Sequence, residues 1–431
     1  MTHFLYWEGI QLLQLKKSFQ FSWVRLFWFI IICSQLLWFL IIVKNPQGHQ
    51  RTLFFLKMGD FFADGTNTTG LVSKRNPYLN EAIGLGNAAY PPLAYDLFFL
   101  LAHASTIPEE GHGYLTYYYQ PLWTMLFTIT LCFTFVLIHF FSTRQLRKCS
   151  TFDATMVSLA LCFSRPMLYT VERGNILIVT MLATSIYIFY YDSNNKWIKE
   201  IALISLAIAA GIKLTPALLG ILLLYKKDWK AAIRTIIYGL LFFLVPFLFL
   251  KGGLHNLQQL ISNVRLHFTY YPDTSGTGLV ACFYKYAKII SNNNYEMSSF
   301  IHKMLTILRM IISFTLLTGA ALYKEKWKTI FNVIIVLLIL PSVSGEYCLI
   351  YLLPATILFL DHLSIHNVTK SEIIIVVCMI MIYFVYRNKI SDFFDFSIAI
   401  PVLALITTIY SIQEIHNFVQ KMKFKGKVQK Y

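Results

Sequence analysis

The sequence predicts an all-α fold, a polytopic transmembrane helical bundle of about 12 spans. Three observations carry that expectation. Of 431 residues, 57% are hydrophobic and only 13% charged, where a soluble domain carries about 25% charge and about 45–50% apolar residues. The apolar residues gather in runs near 22–43, 121–142, 152–170, 175–191, 199–213, 215–225, 231–250, 299–322, 328–341, 347–361, 371–386 and 394–415. Basic residues, finally, collect in alternate connections. A chain so composed is neither a soluble globule nor a disordered polymer. Nor is it a nucleic-acid-binding domain, because a formal net charge of +16 is what cytoplasmic loops rich in Lys and Arg produce.

Taken in order, Lys16, Lys17 and Arg25 lead into the first run, which reaches Val43 with no small-residue cleavage site after it. That pattern reads as an uncleaved signal anchor. The piece from Tyr90 to Thr106 is apolar but short and holds Asp96 and His103, which suits a helix lying in the membrane surface rather than crossing. If it does not cross, one side collects Lys16, Lys17, Arg144, Arg147, Lys148, Lys196, Lys199, Lys226, Lys227, Lys230, Arg234, Lys324, Lys326, Lys328, Lys370 and the lysines of the tail. The short loops of the other side hold only Arg173, Lys213, Arg387 and Lys389. This asymmetry places both termini in the cytoplasm. Several runs fall short of the usual 17–25 residues, so adjacent ones read as broken helices.

The whole chain, 1–431, reads as one membrane domain with two long outer loops, 44–120 and 251–298. The first mixes Gly, Asn and Pro with Tyr and Phe, the composition of an ordered surface loop. The seven cysteines show neither CxxC spacing nor a paired framework, so neither disulfides nor structural zinc is expected.

Chemistry-bearing residues fall at the outer boundaries. Met58-Gly59-Asp60-Phe61-Phe62-Ala63-Asp64-Gly65 carries two carboxylates four apart, which a helix would place on one face. Such a carboxylate can serve as general base toward a hydroxyl nucleophile or as a polar helix cap. In the same loop, Asn76-Pro77-Tyr78 is a turn signature and Tyr90-Pro91-Pro92-Leu93 opens a helix with proline in its first turn. Glu172-Arg173-Gly174-Asn175 is squeezed between two apolar runs. An arginine there invites an anionic partner, or pairs locally with Glu172. Lys213-Leu214-Thr215-Pro216 breaks a helix and sets a lysine at the boundary, to snorkel or to meet a phosphate. Ser342-Val343-Ser344-Gly345-Glu346-Tyr347 forms another tight outer turn, in which Glu346 can orient a sugar hydroxyl.

Asp60-Phe61, Asn76-Pro77-Tyr78 and Tyr90-Pro91-Pro92-Leu93 together resemble the first outer loop of the GT-C membrane glycosyltransferases. Glu172 to Asn175, Lys213 to Pro216 and Ser342 to Pro354 resemble glycosyltransferase family 87 in particular, the group with the bacterial polyprenol-phosphate-mannose-dependent mannosyltransferases. The resemblance implies a GT-C-type bundle with interfacial helices in the first outer loop. It implies a hexosyltransferase in a bacterial inner membrane, with its active site on the outer face. The donor would be a polyprenyl-phosphate-linked, mannose-like hexose and the acceptor a glycan or glycolipid. Asp60 falls on the family's acidic base. Arg173 and Lys213 would hold the donor phosphate, with Asp64, Tyr90, Glu172, Asn175, Glu346 and Tyr347 as further substrate contacts. No cofactor or metal is expected, since Asp60 and Asp64 form no DxD pair and two carboxylates are a thin ligand set for a divalent ion. The sequence departs from the family at Gly345-Glu346-Tyr347, where many members carry a histidine. Two other readings use the same features: a polysaccharide polymerase or ligase, and a flippase or transporter for lipid-linked sugars, which would place its charges along a path through the bilayer.

Overall fold

A computed structural model of the chain describes residues 22–44, 62–73, 76–79, 89–104, 120–270, 278–292, 294–341, 345–385 and 396–428. Every regular element among them is helical. The first half comprises α1 (Trp23–Lys44), α2 (Ala63–Ser73), α3 (Pro92–Ala104), α4 (Gln120–Gln145), α5 (Thr151–Cys162), α6 (Arg165–Glu172), α7 (Leu177–Tyr190), α8 (Lys196–Ile212), α9 (Ile221–Tyr225) and α10 (Trp229–Leu244). The second half comprises α11 (Asn256–Tyr270), α12 (Leu279–Ile290), α13 (Ser299–Leu322), α14 (Lys326–Ile339), α15 (Leu352–Ile365), α16 (Lys370–Tyr383) and α17 (Phe396–Val428). Short 3-10 turns at Thr215–Gly220, Val245–Phe249 and Glu346–Tyr351 join or extend them.

Among the described residues, five stretches are long and apolar enough to cross a membrane: Trp23–Ile41, Trp229–Phe249, Ser299–Leu322, Glu346–Ile365 and Ile398–Met422. A sixth forms if α5 and α6, bent by 45°, make one span. The chain is therefore a multi-pass membrane protein. Centre and periphery differ sharply: the Glu346–Ile365 span is 78% buried inside the protein, Trp229–Phe249 only 17%. In α14 every residue from Thr329 to Ile339 is buried, and Trp327 packs on Phe359 of α15 at 4.9 Å between ring centres. A helix apolar all round belongs inside a bundle, and one exposing Ile233, Ile236, Leu240 and Leu244 belongs against lipid.

The run 152–170, read from the sequence as one segment, is divided. Ser164 and Pro166 flank Arg165 at the break, with proline in the first turn of α6, where it is tolerated because that N–H has no helical partner. The expected break at Lys213 is also present. Lys213 leaves α8 in an extended conformation before the 3-10 turn that contains Pro216.

The described parts of segments 44–120 and 251–298 brace each other. Asn76 accepts the Tyr78 N–H at 3.2 Å, closing a turn, and donates to Asn256 Oδ1 at 3.2 Å. Asn263 donates to the Tyr78 carbonyl at 3.1 Å, and Tyr78 Oη donates to the Tyr90 carbonyl at 3.0 Å. Tyr78 meets Tyr95 edge-on at 5.2 Å. α3 packs against α2, α8, α10 and the Val245–Phe249 turn. The Asn-Pro-Tyr motif thus builds scaffold: it fixes where the first loop sits.

Candidate active site

The site forms where two helix ends meet. α6 stops at Gly174, whose φ of +62° favours glycine. The Gly174 N–H bonds the Val171 carbonyl at 2.8 Å and the Asn175 N–H bonds the Thr170 carbonyl at 3.0 Å, the two-bond closure of a helix C-terminus. The carbonyls left over receive the first amides of α2: Phe62 N–H donates to Glu172 O at 2.7 Å, Asp64 N–H to Arg173 O at 3.0 Å. Orphan donors of one helix thereby satisfy orphan acceptors of another. The approach is close enough that a Cβ on Gly174 would stand 3.3 Å from the Phe62 Cα. α2 is unusually polar for a buried helix. Thr66, Thr68 and Thr69 resolve this by donating to the carbonyls of Phe62, Asp64 and Gly65 at 3.0, 2.6 and 2.7 Å.

This docking sets Asp64 against the Arg173 turn. One carboxylate oxygen takes a hydrogen bond from Arg173 Nη2, the other from Asn175 Nδ2 at 2.8 Å. The partner of Arg173 identified here is therefore Asp64, 109 residues away, rather than its neighbour Glu172. Glu172 is itself 2% exposed and docks Phe62 through its carbonyl. Burial works against the Arg173 charge, but the hydrogen bond and charge of Asp64 more than offset it and hold the guanidinium protonated. Arg173 Nε is buried with no acceptor among the described residues, leaving one strong donor for a ligand. The Tyr90 phenol lies in the same cluster. Burial raises its pKa and the Asp64 charge adds to that, while Asn175 opposes, so Tyr90 stays a neutral donor at any ordinary pH.

Two further stretches close the site. Lys213 Nζ stands 5.3 Å from the centre of the Tyr347 ring, a cation–π distance. On Tyr169 of α6 that ring lies nearly parallel, 6.4 Å away at 7°. Glu346 is held by Arg165, whose Nε and Nη2 reach Oε1 at 3.0 and 2.6 Å. That pair is almost out of solvent, at 5% and 12% exposure. Tyr351 bonds Thr180 of α7 at 2.7 Å, tying the Glu346–Tyr351 turn to the helix that follows Asn175. Asp64, Arg173, Asn175, Tyr90, Lys213, Glu346 and Tyr347 thus come together, while Asp60 lies outside the described residues. Sequence reasoning overlooked Arg165 and Tyr169. The signal that would have found Arg165 was a single arginine before proline inside an apolar run.

Beside the polar cluster lies an apolar cavity of about 400 Å³. Phe98, Leu101, Leu126, Val179, Gly174 and Asn175 are among the residues that line it. Asn175 is the shared wall: its amide faces Asp64 and its residue borders the cavity. The arrangement offers cations and hydrogen-bond donors for a polar group next to room for an aliphatic chain.

No curated protein matches the chain. The family model for glycosyltransferase family 87 matches residues 88–341, a segment that includes Tyr90, Arg165, Arg173, Asn175 and Lys213 and leaves out Asp60, Asp64, Glu346 and Tyr347. That match covers more than half of the sequence, and the chain belongs to glycosyltransferase family 87.

Proposed function

We propose that this membrane glycosyltransferase transfers a mannose-like hexose from a polyprenyl-phosphate donor to a glycan or glycolipid acceptor. The observation that supports this most is the convergence of Arg173 and Lys213, from separate helix ends, around Asp64 and Tyr347 and beside an apolar cavity. A sugar phosphate on a lipid has the matching halves: an anion for the cations and a chain for the cavity.

In this reading Asp60 takes the proton from the acceptor hydroxyl as its oxygen attacks the anomeric carbon. The new glycosidic bond forms while the bond from that carbon to the phosphate oxygen breaks, and polyprenyl phosphate departs. The donor phosphodiester bears one negative charge, whereas a released monoester bears about −1.5 to −2. Contacts from Arg173 and Lys213 strengthen as that charge grows, so they favour the transition state over the bound donor. A phosphate leaves without help from a carboxylic acid, unlike the leaving groups handled by paired glycosidase carboxylates. Direct displacement inverts the anomeric centre, and retention in the product by NMR would refute it. We place the reaction on the outer face of a bacterial inner membrane, with both termini cytoplasmic, about 12 spans and α3 lying in the interface.

The test is transfer of labelled hexose in proteoliposomes from a panel of polyprenyl-phosphate sugars, with wild type beside Asp60→Asn. Transfer from one such donor, lost in the variant, is expected. Full activity of Asp60→Asn would remove Asp60 from its role, and no transfer from any donor would refute the donor class.

A further inference from the structure

The helices that carry the site have a second end. α7 runs from beside Asn175 to Tyr190, and α8 returns from Lys196 to the residue before Lys213. At ~1.5 Å per residue they separate the two ends by roughly 20–25 Å. At the far end Tyr191, Asp192, Lys199, Lys226, Lys227 and Asp228 line a polar cavity of about 430 Å³. A further cation leans in from α14: Lys326 Nζ stands 4.9 Å from the centre of the Tyr191 ring and donates to Asp192 Oδ1 at 2.6 Å.

The charges of this cup do not balance. Both carboxylates are engaged, Asp192 by Lys326 and Asp228 by Lys199. Asp228 also accepts the Ala231 N–H at 3.1 Å as the cap of α10. Among the described residues no carboxylate lies in ion-pair reach of Lys226 or Lys227. Burial depresses the Lys326 pKa and the Lys226 charge depresses it further, against the pull of Asp192, so like charges repel across the cavity. Lys227 has a φ of +56°, a left-handed conformation disfavoured for a residue other than glycine. The C-terminal end of a one-turn helix favours a cation only weakly. That accounts for one lysine here and not for the pair on the wall of a cup.

We propose that this cup is a phosphate-binding site separate from the candidate active site, in which Lys226 and Lys227 hold the anion and Lys199 and Lys326 complete its surroundings. Four lysines against two aspartates leave a surplus of two positive charges, enough to offset the single charge of a phosphodiester headgroup or the charge of about −1.5 to −2 on a phosphomonoester. The phosphate belongs either to an anionic membrane lipid at the edge of the bundle or to a soluble molecule, and the experiment separates these sources.

The full chain is placed in nanodiscs of phosphatidylcholine alone or mixed with phosphatidylglycerol, and retained lipid is read by native mass spectrometry. In a second arm, the phosphatidylcholine sample is titrated with inorganic phosphate against chloride at equal ionic strength, with thermal unfolding as readout. A lipid headgroup predicts at least tenfold preferential retention of phosphatidylglycerol. A soluble ligand predicts stabilisation by phosphate without that preference. Either effect is expected to vanish in Lys226→Gln/Lys227→Gln and to survive in Lys226→Arg/Lys227→Arg and in Lys421→Gln. If the double glutamine variant does not fold, the two single variants carry the comparison. Absence of both effects in wild type, or their persistence in the glutamine variants, overturns the proposal.

Discussion

The two ends of the helix group α6–α8 hold their charges differently. At the candidate site the ion pairs join distant parts of the chain and are largely out of solvent: Arg165–Glu346 spans 181 positions with 5% and 12% exposure. At the other end the pairs are wetter, even the one of long reach: Lys326–Asp192 spans 134 positions with 32% and 31% exposure. Arg234–Glu200 spans 34 positions with 45% and 22% exposure, and Lys328–Glu325 spans three. A buried pair assembled from remote segments fixes the arrangement of those segments, because removing one partner strands a charge in a poorly solvated place. A wet local pair fixes little, since water replaces either partner.

That contrast can be broken by substitution. The largest effect is expected for Arg165→Ala, which leaves Glu346 buried without its partner. A loss of about 3–5 kcal/mol should appear as a large drop in thermal stability, and Arg165→Met/Glu346→Leu should recover most of it. Asp64→Ala removes the charged acceptor of both Arg173 and Asn175, with an expected loss of about 1.5–3 kcal/mol; an unchanged melting temperature would show that the pair does not hold α2 in place.

Smaller effects sharpen the comparison. Burial pushes the Asp96 carboxyl of α3 up to about 7, above the unfolded value of about 3.9. The folded state then binds the proton more tightly. The stability this lends is full below the unfolded pKa and is lost as pH rises through the folded one. Melting temperature should therefore fall between pH 5 and pH 8 in wild type, with a shallower fall in Asp96→Asn. Gly174→Ala should cost about 1–2 kcal/mol for its left-handed backbone, measured by the same unfolding curve. Arg234→Ala, on the wet side, should change stability by less than about 1 kcal/mol.

Much of the architecture was legible because membrane helices write themselves into composition. The apolar runs near 299–322 and 347–361 correspond to α13 and to the span at Glu346–Ile365. Proline and lysine marked the break after α8, and Asn76-Pro77-Tyr78 marked a turn. The break inside 152–170 was hidden because one arginine hardly lowers the hydropathy of a long run. Site residues were legible as types, not as partners. Glu172 is adjacent to Arg173 in sequence, so a local pair was the natural alternative, yet the turn closed by Gly174 presents Arg173 to Asp64. Nothing local in the chain marks Arg165 for Glu346, because that meeting depends on how α6 lies along the Glu346–Tyr351 turn.

The central claim is that Arg173 acts on the phosphate of a lipid-linked donor, and single-turnover transfer from polyprenyl-phosphate hexose by Arg173→Ala tests it most directly. At saturating donor the account predicts a fall of about 10²–10³ in the rate of transfer, in a protein whose helical content and membrane insertion match wild type. Transfer at the wild-type rate by that variant would contradict it.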